Sequence, residues 1–215
     1  MIKALGQAKA FPLEDLDDED VLVAKTPSTM LPLGTVAPDF SLVEPGGKSA
    51  VTRDQTRGSK GLLVMFLSNH CPYVKHVATV LASISKVFMQ KGIGVVAIAA
   101  NDAEKYPEDG PEKMISEKEL RGYSFPYLYD EQQAVAQDYQ AACTPDFFLF
   151  DAELKLVYRG QMDGSRPGNE VPVTGVDLVT AADALLAGRP VPKEQRPSLG
   201  CNIKWKPGNE PAYYP

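Results

Sequence analysis

Cysteine, histidine and tryptophan are scarce in this chain: three, two and one among 215 residues. Three cysteines do not make a disulfide scaffold, and an odd number leaves at least one thiol unpaired within the chain. No run of about 18 apolar residues occurs, so no membrane-spanning helix is expected. Positive charge is also short, with 22 Lys and Arg against 28 Asp and Glu, a formal net charge of −6. Nucleic acid and anionic membrane surfaces need clustered Lys and Arg, so neither is an expected partner. The N-terminus, MIKALGQAKAFPLEDL, has Lys9 interrupting its apolar stretch and no small-residue cleavage site, and it does not read as a signal peptide. These absences together predict a cytoplasmic protein with reduced thiols. What is present is ordinary for a globular protein: 44% apolar and 23% charged residues. The length suffices for a hydrophobic core without disulfides or metal.

Residues 14–20, EDLDDED, hold six acids in seven positions and read as a solvated face or extended arm. Pro27, Pro32 and Pro38 keep the following segment extended. From Arg189 to Pro215 there are six prolines in 27 residues, which excludes a helix and predicts a tail that wraps a surface or stays mobile. Between the ends, LLVMFL (62–67), VVAIAA (95–100) and FFLF (147–150) are unbroken apolar runs that fit strands buried on both faces. LKLVY (154–158) follows FFLF after a short turn, which predicts an antiparallel pair. Val77, Val80, Leu81, Ile84, Val87 and Phe88 form one apolar helical stripe, with Pro72 placed at its first turn and Gly92 at its stop. Weaker helices are expected over 111–122 and 131–139, and a last one carries Leu178, Ala181, Ala182, Leu185 and Leu186 and ends at Gly188. Alternating strands and helices predict an α/β layered domain with a largely parallel sheet and helices on both faces.

SNHCPYVKH (68–76) joins a buried strand to the strongest helix and places Cys71 at the N-cap before Pro72. A thiol there meets unpaired backbone N–H groups and the positive end of the helix dipole, which favour thiolate and lower its pKa. His70 and Lys75 add positive charge nearby. Ser, Thr, Asp or Asn is the usual N-cap, so a cysteine points to redox or nucleophilic chemistry over a strand end that merely happens to be small and apolar.

GTVAPDFSL (34–42), the strand–Cys–Pro–helix unit, YSFPYLYD (123–130) and CTPDFFLFD (143–151) together resemble the redoxin group of the thioredoxin superfamily, which includes alkyl hydroperoxide reductases and peroxiredoxins. SNHCPYVKH, NDAEKYPEDGPEKM (101–114) and GCNIKW (200–205) are similar to a peroxiredoxin-like branch of it. The resemblance implies a thioredoxin-like fold with a central mixed sheet flanked by helices. It divides the chain into an N-terminal extension (1–33), a redoxin domain (34–188) and a Pro-rich C-terminal tail (189–215). It also implies that Thr144-Pro145 is a cis-proline loop facing Cys71.

Departures from the family pattern are specific. A thioredoxin-type Cys-x-x-Cys pair would put its second cysteine at Val74. If Cys71 is instead the peroxidatic residue of a peroxiredoxin, Ser68 fills the position three before it, but Val64 stands where a proline belongs. The arginine expected near Pro145 is missing. The partner thiol must then come from elsewhere. In the resembled fold Cys143 lies beside the helix start and is the expected second catalytic cysteine, although it could also be a small buried hydrophobe. Cys201, on the tail, is a possible resolving thiol or a packing cysteine. His70, Pro72, Thr144 and Pro145 are the expected tuning or substrate-binding residues, and His76 is expected to cap a surface. A metal site from Cys71, Cys143, His70 and His76 has suitable ligands but no zinc spacing, so no metal or cofactor is expected. Loop 101–112 is expected to cap the next helix through Asp109 or Gly110.

Three functions fit: a thiol–disulfide oxidoreductase with Cys71 as nucleophile, a thiol peroxidase of antioxidant type, and a non-catalytic binding or redox-sensing module. Expected partners are a disulfide-bearing protein or a peroxide, an external thiol reductant, and a second copy of the chain in a homodimer.

Overall fold

The computed structural model describes residues 25–213, and the acidic stretch 14–20 lies outside them. The described chain begins with β1 (Thr26–Pro27), β2 (Ser41–Val43), β3 (Ala50–Thr52) and the short α1 (Arg53–Thr56). Then come β4 (Gly61–Phe66), α2 (Pro72–Gln90), β5 (Ile93–Ala99), a 3-10 turn at Pro107–Asp109 and α3 (Pro111–Arg121). β6 (Tyr127–Tyr129) and α4 (Ala134–Asp138) lead into β7 (Cys143–Thr144), β8 (Asp146–Phe150), β9 (Leu156–Arg159), α5 (Val176–Leu186) and β10 (Leu199–Asn202).

The seven-stranded sheet has the order β3-β2-β6-β5-β4-β8-β9. It is mixed, which corrects the largely parallel sheet expected from the alternation of elements. The β4–β5 and β5–β6 pairs are parallel, because α2 and α3 supply their crossovers, while β4–β8 and β8–β9 are antiparallel. The FFLF–LKLVY hairpin is present in register, Leu149 opposite Tyr158.

Strand alternation splits the core in two. Leu63, Met65 and Leu67 face one side of the sheet, where Val77, Leu81, Ile84 and Phe88 of α2 and Leu178 and Ala182 of α5 cover them. Leu62, Val64 and Phe66 face the other, under Phe40, Tyr139, Ile203 and Trp205. The second layer is therefore built largely by extended chain and the C-terminal segment. α4 is shorter than the expected 131–139 because Gln133 takes a left-handed backbone (φ 63°). Its buried side-chain amide bonds the Ala100 and Lys204 carbonyls and so belongs to the turn. Among the described residues no helix is long and apolar enough to cross a membrane.

A second sheet, β1-β10-β7, sets the site. β10 lies inside the Pro-rich tail, whose residues Leu199–Asn202 form a bonded strand that wraps over the domain. It pairs Gly200 with Thr26 on one side and Cys201 with Thr144 on the other. Ser198 Oγ donates to the Gly160 carbonyl (2.8 Å) and Ile203 N to the Ala142 carbonyl (3.1 Å).

Candidate active site

Cys71 is the N-cap of α2 with Pro72 at the first helical position, as expected, and its side chain makes no capping bond. Its carbonyl accepts from Lys75 N (3.0 Å), so the first turn closes directly behind the sulfur. The Thr144–Pro145 bond is cis. Cys71 Sγ lies 3.1 Å from the Thr144 carbonyl and 2.8 Å from Cys201 Sγ. The thiols are covered: Cys71 is 0% and Cys201 2% exposed.

The expectation that Cys143 faces Cys71 is not met, and the reason is register. Thr144 is opposite Cys201 and Cys143 is opposite Asn202, so alternation sends Cys143 to the other face of the strand pair. Cys143 Sγ is 3.7 Å from the Pro145 carbonyl instead. Burial, with the Asp146 charge, pushes its pKa well above the ordinary thiol value. Cys71 behaves oppositely. Burial raises its pKa, but the neighbouring Cys201 thiol, then Thr144 and the nearby Val74 and Cys201 N–H groups, outweigh it and hold the value at about 7. Cys201 is the proton-holding member: its bond to Cys71, its burial and the Cys71 charge all raise its pKa. The chemistry on offer is a thiolate with a second thiol already in contact.

Gly200 makes this contact possible. A Cβ there would lie 2.0 Å from the Thr144 carbonyl oxygen, so only glycine lets β10 reach β7. Gly200→Ala is expected to destabilise the protein by about 1–3 kcal/mol and to open the native thiols to Ellman's reagent. An unchanged melting temperature with unreactive native thiols would show that the strand accommodates the methyl group.

His70 sits just ahead of the nucleophile. Its Nδ1 is 2.7 Å from Asp109 Oδ2, and its ring stacks on Tyr106 (centroids 5.5 Å apart, planes at 11°). Burial disfavours the imidazolium, but the hydrogen bond and charge of Asp109 outweigh it and raise the His70 pKa above its ordinary value. His76 points elsewhere, sharing a 2.7 Å hydrogen bond with Ser165, and burial lowers its pKa. Among the described residues no group of three or more His, Cys, Asp and Glu is arranged to hold a metal.

Sequence reasoning missed Asp109. Gly110 is the N-cap of α3, and Asp109 turns inward, fully buried, to bind the loop that delivers Cys71. Asn69 Oδ1 accepts from Tyr127 OH (2.9 Å), which fixes the same loop from β6. The visible signal was only an aspartate two residues before a helix-starting proline, a pattern that capping explains equally well. Beside the site lies a small cleft of about 20 Å³, lined by Tyr73, Val77, Pro145, Phe147, Met162 and Arg166 among others. The Arg166 guanidinium is held there by the carbonyls of Asp163 (2.7 Å) and Ser165 (2.6 Å).

The sequence pattern of the family described as Redoxin matches residues 32–177. This chain belongs to the Redoxin family. A crystal structure of an uncharacterized conserved protein from Geobacillus kaustophilus superposes on this redoxin with a TM-score of 0.84 at 52% identity, covering 86% of this chain and 98% of that one. A hypothetical protein from Sinorhizobium meliloti 1021 gives 0.83 at 49% identity, covering 86% of this redoxin and all of that chain. The thiol-disulfide oxidoreductase ResA of Geobacillus kaustophilus is 25% identical over 139 residues, 64% of this chain and 75% of its own length. The thioredoxin-like fold and a thiol-based redox role follow from this membership.

Proposed function

We propose that this redoxin is a thiol–disulfide oxidoreductase in which Cys71 is the nucleophile and Cys201 the resolving thiol. The observation that carries the reading is the 2.8 Å approach of the two sulfurs. The Cys71 thiolate attacks a substrate disulfide R–S–S–R′, forms Cys71–S–S–R and releases R′–S⁻. That step removes the Cys71 charge and its hydrogen bond to Cys201, two of the three causes that hold the Cys201 proton in place. Cys201 then attacks the Cys71 sulfur, its proton leaves with R–SH, and the Cys71–Cys201 disulfide remains. Two electrons have passed to the substrate, and an external dithiol returns the pair by the reverse exchange. The name of the ResA relative supports this reaction class. Cytoplasmic placement belongs to the same reading, since a reduced resting pair needs a reducing compartment.

A second reading, thiol peroxidase, draws on the burial of all three sulfurs, which suits a small oxidant. There the thiolate attacks ROOH and releases ROH, and the resulting Cys71 sulfenic acid condenses with Cys201 and expels water. Both readings end on the same bridge, so substrate preference separates them. Peptide mapping without reductant, after one equivalent of hydroxyethyl disulfide, is expected to show residues 71 and 201 linked and one free thiol at Cys143. A 71–143 link overturns the assignment, and a persistent adduct on Cys71 overturns the role of Cys201. Reaction with peroxide but not with the disulfide hands the site to the peroxidase reading.

A further inference from the structure

We propose that Asp109 is the positioning residue of the thiol pair: one carboxylate sets both the charge beside Cys71 and the approach of the strand that carries Cys201. This rests on the Cys71–Cys201 reading above and adds to it a residue outside both sulfur-bearing segments.

Asp109 is fully buried. A carboxylate there needs hydrogen-bond donors, and every one supplied comes from the walls of the thiol site. Asn69 N donates at 2.6 Å and His70 N at 3.4 Å. Ser68 Oγ lies 3.1 Å from both carboxylate oxygens, and Asn101 Nδ2 donates at 2.7 Å. His70 Nδ1 completes the set at 2.7 Å. Burial opposes ionisation, but the His70 and Asn101 bonds and the Asn69 N–H outweigh it, and the Asp109 pKa lies below the ordinary carboxylate value.

From this anion two routes lead to the two sulfurs. The first runs through the loop before α2: Ser68 Oγ, bonded to Asp109, accepts from Cys71 N (3.3 Å), and His70 is held with its charge beside Cys71. The second runs through Asn101 at the end of β5. Its amide nitrogen is committed to Asp109, so its oxygen faces the other way and accepts from Lys204 N (2.8 Å), three residues beyond Cys201. Asp102 N, next in the chain, donates to the Lys204 carbonyl (2.8 Å) and closes the clamp. Asn101 therefore keeps one orientation only while Asp109 is an acceptor, and the strand after β10 inherits that orientation.

Among the described residues, the charged and titratable groups around His70 are few. Asp109 and Cys71 favour its cation, and Lys204 opposes it. Tyr106 stacks on the ring, with Lys105 and Lys204 Nζ 5.7 and 5.6 Å from the Tyr106 centroid. Tyr127 lies near Asp109, stays protonated through burial, and bonds Asn69. Among the described residues, Asp109 is the carboxylate that favours the His70 cation.

The two routes make the test a separation of effects in the full chain. Asp109→Asn keeps the shape and removes the charge. His70→Gln cuts the first route, and Asn101→Ala cuts the second. Two quantities are read: the pH midpoint of Cys71 alkylation by iodoacetamide, and the rate at which a glutathione adduct on Cys71 closes to the 71–201 disulfide. His70→Gln is expected to raise the alkylation midpoint by roughly half a pH unit and leave closure unchanged. Asn101→Ala is expected to slow closure about tenfold or more and leave the midpoint unchanged. Asp109→Asn is expected to do both, and an imidazole NMR titration should show the His70 midpoint falling below its wild-type value. A folded Asp109→Asn protein with wild-type midpoint and closure overturns the proposal. If that variant does not fold, the other two decide: loss of the separation between them overturns it as well. Wild-type protein that never forms the 71–201 bridge defeats the oxidoreductase reading instead, and the alkylation midpoints of Asp109→Asn and His70→Gln then judge Asp109 alone.

Discussion

Cys201→Ser is expected to stop turnover while leaving Cys71 reactive. With hydroxyethyl disulfide and an excess of dithiol, the steady-state rate should fall by roughly a hundredfold or more, and the protein should accumulate with one substrate half attached at Cys71. The reasoning starts from proximity. Cys201 Sγ is 2.8 Å from Cys71 Sγ on a strand fixed from both sides by β1 and β7, so wild-type resolution is intramolecular and needs no search. A serine hydroxyl keeps the strand, the small side chain and a hydrogen-bond donor toward Cys71, but it cannot break a disulfide. The Cys71 thiolate keeps its place at the helix terminus with the Val74 N–H nearby, so the first attack survives. Release then waits for an external thiol to reach a sulfur that is 0% exposed. Cys143→Ser should behave differently: that thiol lies on the opposite strand face with a raised pKa, and the variant is expected to turn over at the wild-type rate. Intact-mass analysis of the quenched reaction reads both outcomes. A fully active Cys201→Ser protein, or an adduct trapped by Cys143→Ser, would reverse the roles of the two cysteines.

What was legible in the sequence was local. The α2 stripe, Pro72 and the apolar run before it place Cys71 at a helix start, because period and capping are properties of neighbouring residues. The choice between Cys143 and Cys201 was not local. It turns on a one-residue register in β7, where alternation reverses every assignment, and no short sequence reveals which of two adjacent residues faces inward. β10 was hidden for a related reason. LGCN has no alternating pattern, and its surrounding prolines describe only what the segment is not. Asp109 illustrates a third limit: its partners Ser68, Asn69 and His70 lie about forty residues upstream, so its burial becomes meaningful only when two loops meet. The mixed sheet came from the resemblance, whereas element alternation alone pointed to a parallel one. β8 pairs antiparallel with β4 although α4 lies in the connection from β6, so a helix between strands does not by itself give a parallel pair.

Arg159→Ala is expected to cost about 3–5 kcal/mol of stability at neutral pH and to loosen the loop that presents Thr144 to Cys71. Arg159 and Asp146 are both fully buried and pair at 3.3 Å on the face of β8 and β9 opposite α2. Arg159 Nη2 also donates to the Gln140 carbonyl (2.9 Å), and its guanidinium lies 4.7 Å from the Phe148 ring centroid. Nε and Nη1 have no hydrogen-bond partner among the described residues, so Nη2 alone makes the guanidinium's hydrogen bonds, one of them to Asp146. Asp146 directly follows the cis Thr144–Pro145 bond, and it also accepts from Ser28 Oγ (2.9 Å), which ties the segment after β1 to this loop. Burial already raises the Asp146 pKa, and the Arg159 charge is the first influence that opposes it. Without Arg159 the carboxyl pKa must rise further, and the sign of the pH dependence follows. A raised folded-state pKa means that the native state binds a proton the unfolded state has released, so stability falls as pH climbs above the ordinary carboxylate value of about 3.9. The loss should therefore be larger at pH 7 than at pH 5 and shrink toward pH 4. Urea midpoints of wild type and variant across that range measure it. Asp146→Asn combined with Arg159→Met should recover part of the loss and flatten its pH dependence, because no uncompensated charge stays buried. A loss of equal size at all pH values would assign the effect to the missing packing against Phe148 and not to the ion pair.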